Sequence, residues 1–424
     1  MGQVNALAPA DGPDPSDTHG PSDAPDPLTG FLALRTPEGA ELLAGLRSYD
    51  PATELATATR LRRAHPAGLV SAALGQARLR QRAVAKFGAE DAHRMFFTPN
   101  GVEQATRTSV AAHRAGRFAG AGVRSVADLC CGIGGDAIAL ARAGISVLAV
   151  DRDPLTAEVA RANAAALGLD ALIEVRCADV TEIDTSPYDA VFVDPARRGG
   201  RGRIFDPEAY SPPLSWATAA ALKAPRAALK IAPGVPHEAI GPQAEAEWIS
   251  DGGDVKEAVL WFGEGFAAGA YRATLLPSGA TLAAPAALPA PPVGPVGRYL
   301  YEPDGAVIRA HLVAGIVDRC GGRLIDEMIA YVTSDELYDS PYAAGYEITD
   351  QLPFNMKRLK ALLRERKVGV LTVKKRGSPV EPEELRRKMK LQGPNRATVF
   401  LTRVADAPTM LIGHPVTGPE AGHR

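Results

Sequence analysis

Val126-Ala-Asp-Leu-Cys-Cys-Gly-Ile-Gly-Gly-Asp136 is the stretch that decides how this chain folds. A short apolar run carries Asp128, passes through a turn containing Gly132 and Gly134, and opens into a segment rich in Ala and Leu. It reads as strand, turn and helix. Glycines in the turn let a ligand approach the backbone closely, and the first N–H groups of the helix lack partners inside it. The arrangement suits any nucleotide-like cofactor, so the choice rests on the residues that follow.

Downstream, Val147-Leu-Ala-Val-Asp151 reads as a second buried parallel strand, with its acid 23 positions beyond Asp128. A carboxylate there can accept both hydroxyls of a ribose. Gly132-Ile-Gly-Gly-Asp-Ala137 also satisfies the dinucleotide pattern G-x-G-x-x-A, so these residues alone leave NAD and S-adenosylmethionine equally open. Three features favour the second. Asp128 stands four residues before the first glycine, where a dinucleotide strand is normally apolar. Asp179 closes a third strand, 172–178, where an acid can meet an adenine edge or a ribose. Asp194-Pro-Ala-Arg197 closes a fourth, 189–193.

On these residues the stretch resembles a class I S-adenosylmethionine-dependent methyltransferase. The resemblance implies S-adenosylmethionine as cofactor, with Asp128, Cys130, Gly132 and Gly134 in its turn. It makes Asp151 the ribose acid, Asp179 the adenine-side acid, and Asp194-Pro195 the motif beside the reacting atom. From about residue 30 onward the whole chain resembles bacterial methyltransferases with a THUMP-like C-terminal domain. Met95-Phe-Phe-Thr98, Asp194-Pro-Ala-Arg-Arg198, Tyr299-Leu-Tyr-Glu-Pro303 and Lys374-Lys-Arg-Gly377 carry that match. It implies an α/β architecture: a Rossmann-like seven-stranded methyltransferase domain, a helical N-terminal domain and a small α/β THUMP-like domain. THUMP domains are RNA-binding modules of enzymes that modify transfer RNA. The resemblance therefore implies an RNA partner, with transfer RNA first.

Composition agrees. The 424 residues are 46% hydrophobic and 23% charged, enough chain for two or three domains with a sizeable core. No window reaches the roughly 18 uninterrupted apolar residues that a membrane span needs. Cys130 and Cys131 are adjacent and Cys177 and Cys320 isolated, which argues against a disulfide framework or a metal site and for a reducing cytoplasm. The net charge of −2 hides an asymmetry: 356–403 holds fifteen Lys/Arg against four Glu, a surplus of eleven that leaves about −13 elsewhere. Such a basic module on an acidic enzyme points to a polyanion. A helix with one solvated basic face is the plainer alternative.

The expected domains are a disordered tail at 1–29, a helical domain at 30–117, the methyltransferase domain at 118–285, a Pro-rich linker at 286–297, the THUMP-like domain at 298–415 and a short tail at 416–424. Helical spacing runs over 61–84 and 103–118, and Met95-Phe96-Phe97 reads as core or as a pocket wall. After a fifth strand at 227–231, strands at 257–262 and 271–276 imply an antiparallel hairpin at the sheet edge. A methyltransferase sheet has such a hairpin and a standard dinucleotide fold lacks it. The C-terminal part reads as helix 359–366, strand 368–373, helix 382–389 and strand 397–403.

Methyl transfer is an in-line displacement at a sulfonium, so the enzyme must align a nucleophile and, where needed, remove its proton. Asp194 is the expected orienting group or base, on a turn stiffened by Pro195, with Arg197 beside it. Ala196 and Arg197 replace the second proline and the aromatic of the Asp/Asn-Pro-Pro-Tyr/Phe motif, which speaks against methylation of an exocyclic amine. Arg198, Arg201 and Arg203, interleaved with glycine, could clamp a phosphate backbone, with Lys374, Lys375 and Arg376 as further RNA contacts. A solvated loop is the other reading of the arginines. Lys230 on the fifth strand could support a hydroxyl-methylating site or be structural. The remaining alternatives are a methyltransferase for protein or small molecules, and a non-catalytic RNA-binding protein that keeps the cofactor fold. The sequence is silent on oligomeric state.

Overall fold

Asp26 and Thr36 each cap a helix that opens on proline, and these caps start the folded chain. The Asp26 carboxylate accepts from the Thr29 N–H ahead of α1 (Pro27–Leu34), and the Thr36 hydroxyl accepts from the Gly39 N–H ahead of α2 (Pro37–Gly45). A proline at the first helical position loses no hydrogen bond. The structure is a computed structural model that describes residues 26–197, 207–285 and 288–416. Helix α1 begins inside the expected 1–29 tail because Asp26 supplies the cap; residues 1–25 and 417–424 lie outside the described residues. Helices α3 (Glu54–Leu61) and α4 (Ala67–Arg94) follow, with Pro66 between them and a turn at Gly88, φ 77°.

The chain divides into two compact units between Arg82 and Ala83, within α4. The first has its own core, including Phe31, Leu42, Leu43, Val70, Ala73 and Leu74. The split falls within the stretch expected as a helical domain, 30–117. Helices α5 (Pro99–Gln104) and α6 (Thr108–Gly120) belong to the second unit, where α6 buries Arg114 and Phe118. Phe118 meets Trp261 edge-on at 5.3 Å.

The second unit alternates β1 (Ser125–Leu129), α7 (Gly135–Arg142), β2 (Ser146–Asp151), α8 (Pro154–Leu167), β3 (Ile173–Cys177) and β4 (Ala190–Val193). A short antiparallel pair, β5 (Ala196–Arg197) and β6 (Tyr210–Ser211), precedes α9 (Leu214–Lys223) and β7 (Arg226–Ile231). Then come β8 (Glu245–Asp251), β9 (Asp254–Gly263), β10 (Tyr271–Leu276) and β11 (Ala280–Ala284). The sheet order is β11-β10-β8-β9-β7-β4-β1-β2-β3. Its first seven strands along the chain, leaving out the β5–β6 pair, follow the methyltransferase order, with β9 antiparallel between β7 and β8. Two more strands extend the expected seven.

The hairpin is built differently from expectation. Strands β8 and β9 form it through Gly252-Gly253, whereas β10 runs parallel to β8 and pairs antiparallel only with β11. Strand β8 escaped the sequence reading because Glu245 and Glu247 stand at fully buried positions, where a strand face is normally apolar.

A second sheet contains β12 (Tyr299–Pro303), followed by α10 (Gly305–Arg309) and α11 (Val313–Cys320), then β13 (Arg323–Asp326), β14 (Ile329–Ser334) and β15 (Ala343–Pro353). It is completed by α12 (Met356–Glu365), β16 (Val368–Lys375), α13 (Pro382–Met389), β17 (Asn395–Val404) and β18 (Ala407–Pro415), in the order β13-β14-β12-β15-β18-β17-β16. The expected helix-strand-helix-strand run is present as α12-β16-α13-β17, with β16 and β17 parallel. The other five strands, antiparallel to their neighbours, extend the sheet on the β17 side and leave β16 at the edge. Alternation along β17 sends Val399 and Leu401 toward Leu359, Leu363, Leu385 and Met389 of the two helices, and Phe400 toward Tyr331 and Tyr346 on the opposite face.

The expected linker is no free spacer. Gly294 N–H donates to Leu324 O, Leu324 N–H to Pro292 O, and Gly297 N–H to the Thr333 hydroxyl. Tyr299, Tyr301, Ile316 and Val332 share one continuous core with Trp248, Leu275 and Leu282 of the first sheet. Among the described residues, no helix is long and apolar enough to cross a membrane.

Candidate active site

The turn after β1 places the first group of site residues. Cys130 and Gly132 take positive φ, 67° and 55°, and Gly134 caps α7 at φ 86°. A side chain at Gly134 would be strained in that conformation. Asp151, at the end of β2, holds the turn with both carboxylate oxygens. Its Oδ2 accepts from Gly132 N–H at 3.0 Å and its Oδ1 from Asp153 N–H at 3.0 Å. Burial pushes its pKa up, and these two backbone donors pull against it. Asp179 is exposed and accepts from the N–H and the hydroxyl of Thr181, which keep its pKa below the usual range. Cys130, Asp151, Asp179, Val180, Ala196 and Pro212 line one cleft of about 220 Å³. Burial, followed by the surrounding carboxylates, drives the Cys130 thiol well above its ordinary pKa, so it is no ready nucleophile.

Asp128 lies beneath this cleft with 0% exposure, and neither carboxyl oxygen has a hydrogen-bond partner among the described residues. Burial first, then the charges of Asp136 and Asp194, push its pKa well above the carboxylate range, with Arg114 pulling against them. Burial without a partner favours the neutral acid, and a donor supplied from outside the described residues would favour the carboxylate.

Asp194, at the end of β4, is part-exposed but not solitary. Its Oδ2 accepts from Lys230 Nζ at 2.7 Å, and Lys230 also donates to the Thr106 hydroxyl at 3.0 Å. Burial opposes the Lys230 charge, yet Asp194, Glu257 and Asp136 outweigh it and raise its pKa. Thr106 hydrogen bonds in turn to Asp136, which accepts from Arg114 Nε at 2.9 Å. Arg114 reaches Glu257 at 2.7 Å and lies 4.5 Å from the centre of the Phe192 ring. A chain of charges thus runs from the mouth of the site into the sheet. It continues on the same helix: Arg117 pairs with Glu245 and Glu247, and His113 with Glu247. Burial would raise Glu247, but His113, Arg117 and Thr274 hold it at about 2.

The sequence reading missed Thr106, Arg114, Asp136 and Glu257 as members of this network and left Lys230 open. A single cation in Ala227-Ala-Leu-Lys-Ile231 was the available signal, since a charge in a buried strand needs a partner. Pro195 is buried behind Asp194. The backbone of Arg197 pairs with Tyr210 across β5 and β6, while Arg198, Arg201 and Arg203 lie outside the described residues.

The C-terminal cations divide into two groups. Lys374 and Arg376 both pair with Glu302, lying 5.5 Å from the Tyr346 ring and 5.1 Å from the Tyr331 ring, and Lys375 pairs with Glu381. Tyr299-Leu-Tyr-Glu-Pro303 and Lys374-Lys-Arg-Gly377 therefore meet each other, through Glu302. By contrast, Lys357, Arg358, Arg364, Lys367 and Lys390 are exposed and make no side-chain ion pair among the described residues. Lys360 donates to Lys388 O at 2.9 Å and ties α12 to α13.

Comparisons with known proteins agree with this geometry. A methyltransferase domain model matches 126–196, a THUMP domain-like model matches 343–415, and a model for a domain of unknown function matches 26–83. An uncharacterized S-adenosylmethionine-dependent methyltransferase of Mycobacterium tuberculosis is 36% identical over 336 residues, covering 77% of this chain and 90% of its own. The crystal structure of a protein assigned as a methyltransferase from Porphyromonas gingivalis superposes with a TM-score of 0.70 at 21% identity, over 87% of this chain and all of that one. S-adenosylmethionine fits the residues present. Asp151 would hold its ribose, Asp179 would face the adenine side, and Asp128, whose carboxyl oxygens have no partner among the described residues, would take a donor of the cofactor.

Proposed function

The chain belongs to the S-adenosylmethionine-dependent methyltransferases, and from that premise we propose that its substrate is RNA, with transfer RNA the first choice. The observation that carries the reading is the set of exposed, unpaired cations Lys357, Arg358, Arg364, Lys367 and Lys390 on the THUMP-like module. Cations without internal partners are available to phosphates, and their binding releases counterions. Lys374 and Arg376 serve a different end in this reading: they fix the end of β16 to β12 through Glu302, while Lys375 pairs with Glu381 ahead of α13.

S-adenosylmethionine supplies a methyl group activated by its positive sulfur. The protein's part is to hold the ribose through Asp151, to keep the glycine turn in its left-handed conformation, and to present Asp194 to the acceptor. Binding of a transfer-RNA pool across a salt series tests the substrate. Log affinity should fall linearly with log salt, by about 0.9 per phosphate contact on a duplex segment. A flat response would remove RNA as the partner.

A further inference from the structure

Lys230 sets a fixed cation against Asp194, and this bears on which atom takes the methyl group. Lys230 Nζ stands 2.7 Å from Asp194 Oδ2, the side chains being 16% and 30% exposed. Glu257 and Asp136 reinforce the charge, and Thr106 fixes the ammonium from a second direction. Lys86 approaches the same region, its Nζ anchored on the carbonyls of Glu103 and Ala105. Asp194 Oδ1 remains available to a substrate, since only Oδ2 is taken by the lysine.

The sign of the developing charge separates the acceptor classes. A neutral amine that attacks a sulfonium methyl becomes positive, and an ammonium close by opposes that. A hydroxyl loses its proton and becomes more negative at oxygen, and an ammonium close by favours it. Ala196 also stands where amine-methylating enzymes carry a second proline, and Arg197 where they carry the aromatic. We propose that Lys230 and Asp194 form an acceptor site for a hydroxyl. Resting on the RNA reading above, that hydroxyl is the ribose 2′-OH, the hydroxyl that each RNA nucleotide carries and DNA lacks.

The step balances without a further reactant. The 2′ oxygen donates its hydrogen bond to Asp194 Oδ1 and accepts one from Lys230. The new O–C bond forms as the C–S bond breaks, with the C–S electron pair remaining on sulfur. The hydroxyl proton passes to Asp194 and from its part-exposed carboxyl to water. Lys230 keeps its own proton throughout.

The test is to incubate the full chain with methyl-labelled S-adenosylmethionine and RNA from cells lacking this gene, then hydrolyse the RNA in alkali. A 2′-O-methyl group blocks cleavage at its own nucleotide, so the expected label appears in alkali-stable dinucleotides. Label in mononucleotides, on a base, overturns the hydroxyl assignment and leaves the RNA reading standing. No label in the RNA overturns both. The Lys230→Met variant should lose roughly 10²-fold in kcat with little change in the KM for RNA, while Lys230→Arg recovers part of the loss. Undiminished kcat in Lys230→Met, or a change in KM alone, contradicts the role given to the ammonium. If Lys230→Met does not fold, the position of the label in the wild-type reaction decides the matter.

Discussion

Replacing Asp151 should weaken S-adenosylmethionine binding by an amount that its hydrogen bonds set. Each carboxylate oxygen already accepts one backbone N–H at 3.0 Å, from Gly132 and Asp153, which leaves each a lone pair for a ribose hydroxyl. Hydrogen bonds to a charged group contribute about 1.5–3 kcal/mol each. Two of them, discounted for the water that the empty carboxylate binds, leave roughly 2–4 kcal/mol, or about 30- to 1,000-fold in Kd. Asp151→Ala loses the whole amount and also strips the partners from two backbone donors. Asp151→Asn keeps the shape but turns an NH2 toward either Gly132 N–H or Asp153 N–H, so it should fall only slightly short of alanine. The assay is calorimetric titration of each variant, with a thermal melt to show that the sheet is intact. Because burial raises the Asp151 pKa, wild-type affinity should begin to fall at a higher pH than an ordinary carboxylate would give. A folded Asp151→Ala protein that binds within twofold of wild type would refute the ribose assignment.

Further outcomes follow from the charge chain and the basic face. Arg114→Met should cost about 3–5 kcal/mol by leaving Asp136 and Glu257 buried without their cation, read from the midpoint of denaturant unfolding. The Asp136 pKa is lowered in the fold, so its share of that loss is present at neutral pH and vanishes as pH falls through the folded value. A cost under about 1 kcal/mol would mean that the pairs contribute little. Asp128→Asn should act in the opposite direction on the empty protein. Wild type loses stability as pH rises from the ordinary carboxylate range through the raised Asp128 value, whereas asparagine does not titrate, so the variant should melt higher at neutral pH. The same variant should bind S-adenosylmethionine at least roughly tenfold more weakly; unchanged affinity would separate Asp128 from the cofactor. Charge removal at Lys357, Arg358 and Lys390 together should lower the salt slope of RNA binding by up to about 2.7. Lys374→Ala should reduce thermal stability instead, by leaving Glu302 with Arg376 alone.

Much of the catalytic sheet could be read from its strands because most of them are continuous apolar runs closed by single acids. Asp128, Asp151 and Asp194 stand out for that reason, since each charge interrupts, ends or follows a buried strand, whereas Asp179 lies two residues beyond the largely exposed β3. Strand β8 was not legible, since Glu245 and Glu247 look solvent-facing until Arg117, His113 and Arg272 arrive from elsewhere in the chain to neutralise them. The same long-range pairing misleads in reverse at Lys374-Lys-Arg376. Consecutive cations read as a surface patch, yet two of them are committed to Glu302, 72 and 74 positions earlier. The surplus of charge in 356–403 was plain from composition, but which cations remain free depends on partners that only the fold brings near. Lys230 stood open in the sequence because a strand lysine has meaning only once its partner is known. Helix α6 likewise reads as one more amphipathic helix until Arg114 meets Asp136 and Glu257.

Transfer of labelled methyl groups into a fractionated extract tests the central claim most directly. The extract should come from cells lacking this gene and be separated into transfer RNA, ribosomal RNA, protein and small molecules. The account predicts label in RNA, chiefly transfer RNA, that disappears with Asp194→Ala while S-adenosylmethionine still binds. Label in protein or small molecules, or cofactor binding with no transfer to any fraction, would contradict it.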